Sequence, residues 1–489
     1  MRDYSFGNFI SALRERCGLS QYQLGALVGV SDKAVSKWEN GASKPRIDTM
    51  RKLAEVLDVS IDELVTCEYV TLDKERKDLF AMKYEIIKIA KNRLRELYGD
   101  NPHIRITNRF NTEKLMLGRQ ETLLWMGFFG KMQEEFCVKK GYFDVRGAQM
   151  GASFIAWLLG GTNVNPLPPH YYCPECRKVE FVSGEKCGID LSDKMCSCGK
   201  YYHKDGFGID TANMYPFNKW NEIYVSNKGT ELTKQCLQEY FKGYGVIREI
   251  KIVHDETTEI HFAEQIMVTK FGLLSKEMAK KYTEEIITLR TEEYSRMLDE
   301  ISVLTVVENL DEQICCQDLQ DMEFTAQQLK EYYNYAVESG KYNGYDGDMN
   351  LGKVLSDIDN PKFSDLIAIS GFVNSTGAWT GNAELLYDKG IPLGDLISCR
   401  EDVYAYLYDK LDGKCCDNPS GLVFEIKEAV RKGKYSNNRM PAEIEKLLLE
   451  CEVPEWYVES MKKILYLFPK THLIVVLKRE ICKYMLMNS

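Results

Sequence analysis

Four cysteines in two short turns are the residues of this 489-residue chain best placed for coordination chemistry. Cys173 and Cys176 form a C-x-x-C pair, and Cys196 and Cys198 answer about twenty residues later. Two such turns can set four thiolates around one zinc ion, and the binding free energy then folds a loop with little core of its own. The second pair is C-x-C. Either Cys198 reaches the ion through a tighter turn, or Cys187 or His203 takes the fourth place. A site with no open position and no neighbouring general base would be structural; four reduced cysteines in a collapsed loop are the plainer alternative.

A second set of residues could read nucleic acid. Ser20 and Gln23 have the spacing of a capping box, so a helix starts there, with Leu24, Ala26 and Leu27 on its buried side. Gly29 allows a tight turn, Ser31 caps the next helix, and Gly41 ends it. Val35 and Trp38, at i, i+3 spacing, point inward and leave Asp32, Lys33, Ser36 and Lys37 on the outer face. An amphipathic helix through Phe9, Ile10 and Leu13 precedes this pair. Pro45 and a helix through Met50, Leu53, Ala54 and Leu57 follow, then a short helix capped by Ser60 with Glu63 three residues on.

Residues 6–65 resemble the Cro/C1-type (XRE) repressor family on these motifs. The resemblance implies that the second helix of the pair lies in the major groove and reads bases through Asp32, Lys33, Ser36 and Lys37. It implies phosphate contacts from Gln21, Lys44 and Arg46. Acidic and basic residues balance across this stretch, so a monomer should bind double-stranded DNA modestly. Pairing as a homodimer on a two-half-site operator is the usual remedy.

Composition bounds the rest. The chain is 44% hydrophobic and 28% charged, ordinary globular values, with length enough for several domains. Its net charge of −10 excludes a chain-wide nucleic-acid surface, so any DNA contact must be local. No apolar run reaches membrane-spanning length, and no signal peptide is expected before the first amphipathic helix. A cytoplasmic, reducing setting is expected, with the sixteen cysteines free, core-filling or metal-bound.

Three islands carry a second likeness. The first runs from Arg146-Gly147 through Gly151 and Ser153 to Asn165–His170 and Cys173–Cys176. The second joins Phe363–Gly371, Trp379–Ala383 and Cys399–Asp402. The third joins Val430–Lys434, Val453–Tyr457 and Phe468–His472. In this order they resemble, from about residue 80 onward, the alpha subunit of bacterial DNA polymerase III of the PolC type. The resemblance implies a palm-and-fingers body, a zinc knuckle at the cysteine insert, and a triphosphate-cradling turn at Arg146, Gly147, Gly151 and Ser153, whose alternative is simple packing. Lys432, Lys434 and Lys470 are further basic positions, read as solvated surface.

Phosphoryl transfer needs two metal ions about 3.5–4 Å apart, held by carboxylates. PolC polymerases supply these from a Pro-Asp-Ile-Asp-Leu-Asn-Phe-type strand after the cysteine insert and from one later aspartate. Here the corresponding stretch reads Asn221-Glu222-Ile223-Tyr224-Val225-Ser226, with tyrosine in place of one aspartate. Asp255, Glu256 and Glu259 have no spacing that favours them over a solvated face. Asn374–Gly377 and Leu473–Val476 also depart from the pattern. Catalytic residues and bound Mg²⁺ are therefore not expected.

The expected fold class is multidomain: an all-α helix-turn-helix domain, then an α+β, mostly helical, polymerase-like body with a zinc-ribbon-like insert. The expected domains are 1–66 (helix-turn-helix), 67–80 (linker), 81–260 (palm remnant with an insert at 171–203), 261–360 (divergent helical segment) and 361–489 (fingers). The expected function is sequence-specific DNA binding, as a transcriptional regulator whose body senses nucleotide, DNA or replication proteins. Two alternatives stand beside it: an active PolC-type polymerase or nucleotidyltransferase using Glu222, and a replisome-interacting module.

Overall fold

A computed structural model describes residues 4–16, 19–57, 59, 64, 74–117, 122–145, 148–214, 220–226, 229–240, 246–251, 262–269, 301–308, 315, 318–319, 324–342, 349–358, 360–413 and 419–488. The chain divides into two compact units, Met1–Lys83 and Tyr84–Ser489.

The first unit contains α1 (Tyr4–Arg16), α2 (Gln21–Val28), α3 (Asp32–Glu39) and α4 (Ile47–Leu57). Short-range chemistry sets their ends. Ser20 Oγ accepts from the Gln23 N–H, and Gln23 Oε1 accepts from the Ser20 N–H at 2.9 Å, so the capping box is formed. Gly29 closes α2 at φ +77°, where a side chain costs about 1–2 kcal/mol. Ser31 Oγ accepts from the Ala34 N–H and starts α3. Gly41, at φ +64°, follows its last turn; Gly41 N–H donates to Trp38 and Ala42 N–H to Lys37, the double closure of a Schellman motif.

Phe9, Ile10, Leu13, Leu24, Val35, Trp38, Met50, Leu53, Ala54 and Leu57 are buried, as their spacing predicts. Leu27 is not: it is 45% exposed, and Val28 is buried instead. Val28 stands four residues after Leu24, one helical turn along the same face. Ser60 and Glu63 of the expected fifth helix lie outside the described residues, while Leu64 is buried.

The charged run expected as a linker enters a helix at Lys74, because Lys, Glu and Arg are good helix formers; this helix runs Lys74–Tyr98. Two helices follow, Ile104–Leu117 and Thr122–Val138. The second is apolar on most faces, as a helix inside a core must be. Its Phe129 and Phe136 pack on Phe143 of the sheet.

That sheet has five described strands in the order β1-β5-β8-β7-β6: β1 (Phe143–Val145), β5 (Trp220–Val225), β6 (Val246–Lys251), β7 (Phe262–Thr269) and β8 (Ile301–Glu308). β5 and β8 are parallel, and the other pairs are antiparallel. Residues 261–360, expected to be helical, thus supply two strands, and β8 is rich in the β-branched residues that favour a pleated surface. Residues 270–300 of that expected helical segment lie outside the described residues. A second sheet, ordered β3-β2-β4, joins β2 (His170–Tyr172), β3 (Val179–Phe181) and β4 (His203–Asp205) and carries the cysteine insert.

Buried carboxylates hold the body's short elements together. Glu113, fully buried, accepts from Arg109 Nε, Ser153 Oγ (2.8 Å), Phe154 N–H (2.8 Å) and Ile155 N–H (3.0 Å). It therefore caps the helix Phe154–Leu158 from a distant segment. Asp190 of the cysteine insert accepts from the Phe363 and Ser364 N–H groups and caps Phe363–Asn374. Glu113→Ala would take the carboxylate partner from Arg109 and leave three donors unpaired in the core, at a cost of about 3–5 kcal/mol. Denaturant unfolding of the variant should show the body melting early, while the first unit's transition stays in place.

Candidate nucleic-acid interface and metal centre

On α3 the buried side is Val35 and Trp38, while Asp32, Lys33 and Lys37 are exposed and Ser36 is half-buried. Lys44 and Arg46 are exposed on the following loop, and Lys44 Nζ lies 5.4 Å over the Phe6 ring. Gln21 is half-buried, and its Nε2 donates to Glu39 Oε2 at 2.7 Å. Glu39 also accepts from Arg14, so one carboxylate ties α1, α2 and the end of α3. Gly7 lets α1 approach closely; a Cβ there would meet the Glu39 carbonyl oxygen at 2.2 Å. The presented face is thus fixed from behind.

In the insert, the ligand atoms of Cys173, Cys176, Cys196 and Cys198 all lie within 4.8 Å of one another. Cys173 Sγ is 3.4 Å from Cys198 Sγ, and Cys176 Sγ is 3.4 Å from Cys196 Sγ. A tetrahedron with metal–sulfur bonds of about 2.3 Å has edges of about 3.8 Å, so the four thiols fit one ion. The C-x-C spacing closes because its turn is one residue shorter. Cys173 N–H donates to Lys178 across the first turn, whereas Cys196 N–H donates to Lys200 across the second. Arg177 (φ +62°) and Gly199 (φ +84°) take the left-handed corners.

Backbone N–H groups aim at the sulfurs. That of Cys198 lowers the Cys196 thiol to about 6, and that of Cys176 lowers Cys173. Cys187 is outside the cluster, fully buried, with its thiol pushed up by burial. His203 stacks on Tyr172 instead. Ten described cysteines are free thiols, but Cys451 is disulfide-bonded, a correction to the expectation that none would be: spacing along the chain does not show which sulfurs meet in space.

The sheet register decides which residue types share a row. Asp144 of β1 pairs with Tyr224, which pairs with Val307 of β8. Glu222 pairs with Thr305, and Thr305 pairs with Gln265 of β7. Asp144 and Tyr224 are both buried, and the Tyr142 hydroxyl donates to Asp144 at 2.7 Å. Arg146, Gly147, Asp255, Glu256 and Glu259 lie outside the described residues.

Two members of the expected phosphate turn have packing roles. A Cβ on Gly151 would meet Thr471 Cβ at 2.6 Å, and Ser153 is buried against Glu113 and caps Phe154–Leu158. Lys432 lies 3.5 Å from Glu428, Lys434 is exposed, and the Lys470 N–H donates to buried Glu401.

Residues 10–64 match the helix-turn-helix family HTH_3. DNA polymerase III PolC-type of Bacillus cereus is 28% identical over 480 residues, covering 84% of this chain and 32% of that one. The Clostridium perfringens counterpart is 27% identical over 460 residues (80% and 31%), and that of Staphylococcus aureus 27% over 463 residues (79% and 31%). The chain joins an XRE-type helix-turn-helix domain to a stretch homologous to PolC-type DNA polymerase III. It spans about a third of the length of those curated relatives.

The islands of the PolC-like body persist as structure. Asp402 accepts from Ser398 and Cys399 and caps Arg400–Leu411, while buried Asn382 donates to the Gly377 and Ser460 carbonyls. Sequence reasoning missed Asp144, Glu113 and Tyr22 of α2, which is 73% exposed beside Gln21. Only Tyr22 carried a signal, an aromatic on the polar side of its helix.

The geometry of the cluster makes its ligands separable. Cys198→Ser should release most of the bound zinc in a colorimetric chelator assay on purified protein, whereas Cys187→Ser should retain the zinc content of the parent chain.

Proposed function

We propose that this protein is a cytoplasmic, sequence-specific DNA-binding regulator whose PolC-like body does not copy DNA. One observation carries the reading: α3 splits into a buried side, Val35 and Trp38, and an exposed polar side led by Asp32, Lys33 and Lys37. A helix so held from behind can enter the major groove, with Ser36 as a fourth reader and Gln21, Lys44 and Arg46 on phosphates. Gln21 must then exchange or share its bond to Glu39. Binding as a homodimer to two half-sites would add the affinity that a balanced charge withholds. Zinc on the four cysteines serves as a structural clasp.

The inert body rests on residue types in the sheet rows. Two magnesium ions need several carboxylates around one point. The row through Tyr224 offers Asp144 and Val307, and the row through Glu222 offers Thr305. Gly151 and Ser153, already committed to packing and capping, support no nucleotide cradle. The body then serves as a platform for DNA or replication proteins.

A second reading, a working PolC-type nucleotidyltransferase, is favoured by Asp144 alone, a carboxylate on the strand beside Tyr224. Footprinting on the DNA upstream of its own coding region should show protection by the parent chain and none by a Lys33→Ala/Lys37→Ala variant. Primer extension with magnesium and all four nucleotides should give no product. Incorporation that Asp144→Asn or Glu222→Gln abolishes would establish the enzyme instead.

A further inference from the structure

The cysteine knob presents a surface that neither the clasp nor the helix-turn-helix uses. Met195 and Tyr201 pair as a bridge at the mouth of the second turn, and both stand out from the protein, 58% and 65% exposed. Lys178 and Lys200 end the two turns at equivalent places, and both are exposed. Lys178 Nζ donates to Ser197 Oγ at 2.8 Å, which brings the first turn's lysine to the second turn.

Charge singles out these two lysines. Lys194 is held by Glu180, and Lys204 by Asp193. Among the described residues Lys178 and Lys200 make no ion pair at contact distance. In a chain of net charge −10, two such cations on the paired turns, one of them next in sequence to the exposed Tyr201, suit a polyanion. A ring needs an open base face to stack on, and bases inside a duplex already have both faces covered. Single strands offer open faces together with regularly spaced phosphates.

We propose that the cysteine knob is a contact for single-stranded nucleic acid, with a base stacked on Tyr201 and neighbouring phosphates met by Lys178 and Lys200. Met195 is the bridge partner of Tyr201 and is exposed with it. The metal-clasped turns hold these side chains in place before the strand arrives, so little ordering is needed on binding. This contact is independent of the helix-turn-helix reading and requires only that the knob is folded.

The test uses the full chain, with zinc content measured on every sample, and fluorescence anisotropy with a labelled 20-nucleotide oligo-dT. The parent chain should bind oligo-dT in preference to a duplex of random sequence. Tyr201→Ala should weaken binding about tenfold and Tyr201→Phe should retain it, because stacking needs the ring and not the hydroxyl. Lys178→Glu/Lys200→Glu should weaken binding and flatten its salt dependence. Lys33→Ala/Lys37→Ala should leave oligo-dT binding unchanged, which separates this contact from the major-groove helix. A parent chain that ignores oligo-dT would overturn the proposal. So would knob variants that bind it unchanged with full zinc, including the case in which those variants instead lose an acidic protein partner.

Discussion

The pairing of β1 and β8 on either side of β5 fixes which residues can act together at the centre of the body. Register is unforgiving, because residues in one row share a face and a shift by one moves every side chain to the other face. Tyr224 sits between Asp144 and Val307, and Glu222 beside Thr305. Those pairs put one carboxylate, Asp144, in the row of Tyr224 and one, Glu222, in the row of Thr305.

The body's buried acids are instead spent on backbone. Glu113, Asp190 and Asp402 each meet the start of a helix, and Glu401 holds the N–H of Lys470. A helix start leaves N–H groups without partners, and a buried carboxylate satisfies several at once. Asp190 does this across domains of the sequence, from the cysteine insert to Phe363. The insert is thus stitched to the later helices as well as clasped by its own thiols, and its tip stays exposed while its base is fixed.

In the first unit a similar economy operates through Glu39. Its carboxylate is 7% exposed and collects Arg14 and Gln21, so the end of α3 is anchored to both preceding helices. The exposed residues of α3 gain a rigid support from contacts that never touch solvent. Rigid support for a reading face matters because misplacement by an ångström wastes the hydrogen bonds a base edge offers.

The helix-turn-helix was legible almost residue by residue: the capping box at Ser20, the turn at Gly29, the cap at Ser31 and the inward pair Val35 and Trp38 are all chemistry between near neighbours. So was the identity of the four clustered cysteines, whose spacing left only the last ligand open. Leu27 against Val28 shows the limit of that reading, since two adjacent apolar residues compete for one face and only packing chooses. The sequence by itself therefore determined the local elements and the apolar faces. Tertiary structure alone decided that Cys198 and not Cys187 or His203 closes the cluster, that β7 and β8 complete the sheet, that Glu113 caps a helix forty residues away, and that Asp144 stands opposite Tyr224. Those outcomes depend on which distant segments come to lie side by side, and no pattern of neighbours along the chain encodes that distance.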